Sequence, residues 1–143
     1  MKGMKFYSSL MALTLGAAVS TAAAAEDVIK IGELNSYKAQ PAFLGPYKNG
    51  MELAIEQINE SGGLNGKKVE LVIKDDNATT GDAVRVAEEL ISRDQVDVLT
   101  GTFLSHIGLA VTDFAKQKET FFLAAEPLTD KIVWENGNRY TFR

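Results

Sequence analysis

The sequence predicts an α/β fold: a three-layer, doubly wound parallel sheet of strand order 2-1-3-4-5. Two observations carry this. Short runs of apolar and β-branched residues alternate with segments of helical period, joined by short links, which is the pattern of βαβ units and of a sheet covered on both faces. The crossovers that join such units are right-handed, so the chain must leave its first strand in opposite directions to build the second and third strands, creating a switch point between strands one and three.

Each element can be justified in turn. "DVIKIGELN" (27–35) places Val28, Ile29, Ile31 and Leu34 in a largely buried strand. "SYKAQPAFLGP" (36–46) is polar and proline-containing, and is expected to be a loop. In the segment from Tyr47 onward, Met51, Ala54, Ile55 and Ile58 share one helical face while Glu52, Glu56 and Glu60 lie away from it. Gly62-Gly63 stops that helix and Asn65-Gly66 makes a tight turn. "KVELVIK" (68–74) is a β-branched strand and "DDNATTG" (75–81) a loop. A second helix, 82–93, carries the stripe Val84, Ala87, Leu90 and Ile91. Then come a strand at 96–101, a helix at 107–117, a strand at 120–125, a short helical segment at 128–135 and a strand at 139–142. The chain stops at Arg143, directly after the last of these, so the expectation is one lobe of a longer protein or a truncated fragment.

The N-terminal segment is of another kind. Lys2 and Lys5 precede the apolar run Leu10–Val19, and Ala23-Ala24-Ala25 stands before Glu26-Asp27. That order predicts a secretory signal peptide over residues 1–25, cleaved after Ala25, with the α/β lobe over 26–143. The apolar run is shorter than the roughly 20 residues a membrane-spanning helix needs. Losing the two leader lysines takes the net charge from −4 to −6. An acidic chain without a basic patch is no nucleic-acid binder, because phosphate recognition rests on clustered Lys and Arg. There is no cysteine, hence no disulfide, no thiolate nucleophile and no cysteine zinc site.

In open α/β sheets ligands sit beyond the carboxyl ends of the strands, at the switch point. The loops expected there are 35–45, 101–106 and 125–129. Ser105 is expected at the N-cap of the third helix, where its hydroxyl either caps the first turn or meets an anion docked on the electropositive helix start. His106 is the sole histidine. It lies beside Ser105 without triad geometry, a second His or a carboxylate cluster, and reads as a polar residue on the cleft lip. Neither catalysis nor a metal or other cofactor is expected. Asp75-Asp76 begins the loop that caps the second helix; it does not match a phosphate-accepting acid pair, since Asn35 and Gly101 occupy the other strand ends. "GGLNGK" lacks the Gly-Lys-Ser/Thr ending of a phosphate loop and precedes a strand. Phe43, Leu44 and Phe103 either pack the loops or wall an apolar pocket. Tyr37 stands at the same mouth, able to stack or hydrogen-bond. Glu126, between an apolar strand and Pro127, either pairs with a ligand amine or is solvated on the rim.

Taken together, "IKIGELN", "GMELAIEQINESGGLNGKKVELVIKDD", "LTGTFLS" and "FFLAAEPLTD" resemble the periplasmic solute-binding proteins of branched-chain amino acid ABC transporters, the leucine-binding, type I class, from about Ile29 to Arg143. The resemblance implies the first of two α/β lobes, incomplete, that close on a ligand. It implies that Ser105 binds a ligand carboxylate with nearby backbone N–H groups, with Thr102, Phe103 and Leu104 preceding it. It implies that the loop Ala125-Glu126-Pro127-Leu128 receives the ligand ammonium and that Phe43 and Leu44 form a wall. Two departures from the family pattern stand out: His106-Ile107 follows the serine, and Glu126-Pro127 replaces an alanine–threonine, with Leu128 where the threonine is expected and Thr129 one later. The implied role is a periplasmic substrate-binding component for an amino acid, an amide or an aromatic carboxylate, serving an inner-membrane ABC permease. The alternatives are the extracellular sensing domain of a receptor or a non-functional truncated fragment.

Overall fold

The computed structural model describes residues 28–143; the expected signal peptide lies outside the described residues. The element order is β1 (Val28–Asn35), α1 (Pro41–Glu60), β2 (Lys68–Asp75), α2 (Thr80–Ser92), β3 (Val98–Gly101), α3 (Ser105–Lys118), β4 (Phe122–Ala124), α4 (Lys131–Trp134) and β5 (Thr141–Phe142). All neighbouring strands pair in parallel, in the order β2-β1-β3-β4-β5. This is the doubly wound order expected from the alternation of elements.

The strand period decides which residues face which layer. Leu34, Leu99, Phe122 and Ala124 point to the layer of α2 and α3, where they meet Ala83, Val86, Ala87, Leu90, Ile107, Val111 and Phe114 in one buried cluster. Ile132 of α4 joins the same cluster. The opposite row of side chains runs Ile73–Glu33–Thr100–Leu123–Phe142 across the sheet by register. On that side α1 lies over β2, tied by Asn59, whose Nδ2 donates to Val69 O and whose Oδ1 accepts from Val69 N, both at 2.8 Å.

The stretch 36–46, expected as loop, is helix from Pro41 onward. Proline is tolerated in a first helical turn, where its missing N–H would have no intrahelical acceptor. Phe43 N and Leu44 N donate to Gln40 O at 3.2 and 2.9 Å, which starts the helix before Pro46 is reached. Leu44 is therefore not a loop residue: it is fully buried on α1. The expected stripe on α1 is only half covered, with Met51, Ile55 and Ile58 partly buried and Ala54 exposed. Thr79, in the loop that Asp75-Asp76 begins, caps α2 by accepting from Asp82 N at 3.2 Å. Among the described residues no helix is long and apolar enough to cross a membrane.

Candidate functional site

The carboxyl ends of β1, β2, β3 and β4 gather a polar group of residues that the sheet buries. Glu33, Asn35, Ser36, Asp76 and Thr102 are each fully buried. Gly101 ends β3 at φ 111°, where a Cβ would stand 2.4 Å from Leu34 O and 2.6 Å from Glu33 Oε1. Only glycine allows this close approach of β3 to β1. Thr102 follows at φ 64° and its N–H donates to Leu34 O at 2.9 Å.

Two groups of hydrogen bonds occupy this end. In one, Tyr37 Oη donates to Glu33 Oε2 at 2.5 Å, and Asn35 Nδ2 donates to Glu126 Oε2 at 2.9 Å. In the other, Ser36 Oγ donates to Asp76 Oδ1 at 2.6 Å and Ala78 N donates to the same oxygen at 2.9 Å. Asn35 Oδ1 accepts from Ser36 N at 3.1 Å and links the two. Glu33 Oε1, Asp76 Oδ2 and Thr102 Oγ1 are buried without a hydrogen-bond partner.

Burial raises the Glu33 carboxyl to about 7; hydrogen bonds from Tyr37 and Asn35 pull it back, and the nearby Glu126 and Asp76 carboxylates push it further up. Burial also raises Asp76, against the opposing effect of its bonds from Ser36 and Ala78. Tyr37 and Tyr47 are held well above the usual phenol range, by burial first and then by the Glu33 carboxylate.

Ser105 does not take the expected N-cap position. Leu104 is the N-cap, in extended backbone, and its carbonyl accepts from Ile107 N at 3.0 Å and Gly108 N at 2.9 Å. The cap falls one residue earlier than expected and the helix two, because the extended backbone of Leu104 closes the helix start without any side-chain bond. Ser105 is thus the first helical residue, half-buried, with its hydroxyl not used as a cap. The N–H groups of Ser105 and His106, at the very start of the helix, have no intrahelical acceptor.

The other expected residues are placed as follows. His106 is exposed on the lip. Phe43 stacks on Phe103, with centroids 5.9 Å apart and planes at 20°, so the α1 start and the β3–α3 loop meet through an aromatic pair; Phe43 is 65% exposed. Leu44 is fully buried. Ala125 is exposed, Glu126 half-buried, and Leu128 86% exposed. Thr129 Oγ1 accepts from Lys131 N at 3.4 Å, so that hydroxyl serves the start of α4. Among the described residues the strand ends form an open ledge without an enclosed cavity, and no cluster of His, Cys, Asp and Glu is arranged to hold a metal.

Sequence reasoning missed Glu33. A glutamate inside an alternating strand ordinarily reads as a solvent-facing residue. Its position between Gly32 and Leu34, at the end of the strand nearest the switch point, was the available signal.

Comparison with known proteins decides the family. Residues 28–143 match the profile of the periplasmic binding protein family. The chain belongs to that family. A Leu/Ile/Val-binding protein homolog from Brucella suis is 32% identical over 125 residues, which cover 87% of this chain and 31% of that protein. Among solved structures, the branched-chain amino acid transporter substrate-binding protein LivJ from Streptococcus pneumoniae, in complex with isoleucine, superposes at TM-score 0.73 with 27% identity, over 80% of this chain and 33% of that one. A solute-binding protein of an ABC transporter from Rhodopseudomonas palustris, in complex with 3,4-dihydroxybenzoic acid, superposes at TM-score 0.71 with 28% identity, over 81% of this chain and 31% of that one. The chain spans about a third of the length of these periplasmic binding proteins. Family membership places it among proteins of the periplasm or cell exterior.

Proposed function

We propose that the chain is the first-lobe part of a substrate-binding component of an ABC transporter, taking an amino acid or related small carboxylate. The observation that carries this is the start of α3: Ser105 stands as its first residue at the switch point, with a hydroxyl spared from capping and first-turn N–H groups beside it. Such a helix start suits a carboxylate. The ligands in the two related structures, isoleucine and 3,4-dihydroxybenzoate, share that group.

In this reading Thr102, Phe103, Leu104 and His106 shape the carboxylate end. Ala125, Glu126 and Leu128 form the opposite rim, where a ligand ammonium or amide nitrogen rests. Phe43, stacked on Phe103, and Tyr37 supply the wall, with Leu44 buried next to Phe43 in α1. No residue here serves as nucleophile or general base, so the role is binding and hand-over to a permease in the inner membrane, not catalysis. Residues 1–25 act as the signal peptide that delivers residues 26–143 to the periplasm.

Calorimetry with L-leucine and with 3,4-dihydroxybenzoate tests this. Ser105→Ala is expected to weaken binding of either carboxylate by about 1–3 kcal/mol, the loss of one charge-assisted hydrogen bond. Unchanged affinity in that variant would remove Ser105 from the site.

A further inference from the structure

We propose that Glu126 receives the positively charged group of the ligand, and that Glu33, buried near it at the same strand ends, holds a proton before binding and releases it when that group docks. This rests on the strand-end site proposed above.

Asn35 Nδ2 donates to Glu126 Oε2 at 2.9 Å, and the Glu126 carboxylate lies near enough to Glu33 for its charge to disfavour ionisation there. Glu126 is half-buried on the rim and open to a ligand. Glu33 is fully buried, and its Oε1 has no partner. The groups that face Glu33 are Tyr37 from the turn after β1, Tyr47 from α1, Asp76 from the end of β2 and Glu126 from the end of β4. None is a cation. The ion pairs among the described residues include neither glutamate, and the α3 histidine acts on Asp76. Two neighbouring carboxylates without a counter-charge do not both ionise readily. A ligand ammonium on Glu126 supplies that charge. The balance is simple: Glu33–CO₂H becomes Glu33–CO₂⁻, the ligand keeps its –NH₃⁺, and one H⁺ passes to solvent. Glu33 does not touch the ligand; it is a positioning residue that tunes Glu126.

The test is calorimetry of the chain with L-leucine, and with 3,4-dihydroxybenzoate as a probe without an amine, at pH 6 and pH 8. With the Glu33 carboxyl at about 7, release of one proton makes leucine affinity rise about tenfold between these pH values. Dihydroxybenzoate follows no such rise. Glu33→Gln flattens the leucine profile, and Glu126→Gln lowers leucine affinity by about tenfold or more, beyond any effect on dihydroxybenzoate. Carbon-13 NMR of the unaltered chain reads the same claim without substitution: the Glu33 carboxyl resonance moves toward its ionised position at pH 7 when leucine is added. A flat leucine profile, a rise retained in Glu33→Gln, an unmoved Glu33 resonance, or binding of dihydroxybenzoate alone would overturn the inference while leaving the strand-end site standing. Binding of neither probe would overturn both.

Discussion

On one face of the sheet, α2 and α3 enclose Leu34, Leu99, Phe122 and Ala124 in a dry cluster with no charged member. On the other, α1 covers β2, the row beneath it carries Glu33 and Thr100, and the same row continues into Leu123 and Phe142, exposed at 43% and 51%. The first face holds the fold together by burial. The second has its polar residues at the ligand end and its apolar residues open toward β4 and β5. Stability thus rests chiefly on the α2–α3 face, while the candidate site lies beyond the carboxyl ends of the strands, where the ends of both layers meet.

Four variants, one of them double, break or sharpen that contrast. The largest effect is expected on the dry face. Phe122→Ala opens a cavity among Leu99, Val111 and their neighbours and costs about 3–5 kcal/mol in urea unfolding; a loss under about 1 kcal/mol would show that this face is not the main source of stability. Next comes Glu33. Its folded carboxyl, at about 7, lies above the ordinary value of 4.5, so the native state binds the proton more tightly than the unfolded chain. The corresponding stability is fully present below about pH 4.5 and is lost as pH rises through 7, a change on the order of 3 kcal/mol. Unfolding at pH 5 and pH 8 should show this decline, and Glu33→Gln should abolish most of it.

A smaller loss is expected where α1 is pinned. Asn59→Ala leaves the buried Val69 N–H and C=O without their side-chain partner and costs about 1–3 kcal/mol. Hydrogen exchange should speed up selectively in α1 and β2; an unchanged pattern would mean that apolar contacts alone hold the helix. The smallest effect on folding belongs to the open row. Leu123→Ser with Phe142→Ser changes stability by less than about 1 kcal/mol but lowers self-association in sedimentation, because exposed apolar surface beside an edge strand invites pairing.

The strands and their order were legible because alternation and apolar runs report directly on a sheet's layers. The start of α1 was not. Pro41 and Pro46 suggested a loop, but the first lies where a helix needs no N–H and the second falls within the next turn. Leu44 was misplaced for the same reason. Ser105 was one residue from its expected role because the extended backbone of Leu104 closes the helix start without a polar side chain. His106 is exposed, as a polar residue there is expected to be. Glu126 was legible as a charge at the strand end, but its partner was not. Asn35 and Glu126 are 91 residues apart in sequence, and only the β1–β3–β4 register brings them together.

The site's central claim is that a ligand carboxylate rests on the α3 start. Nitrogen-15 NMR of the chain titrated with L-leucine tests it most directly. The account predicts that the amide resonances of Ser105 and His106 shift first and furthest, with Glu126 following on the opposite rim. Saturable shifts confined to other strands or helices, with the Ser105 and His106 amides unmoved, would contradict it.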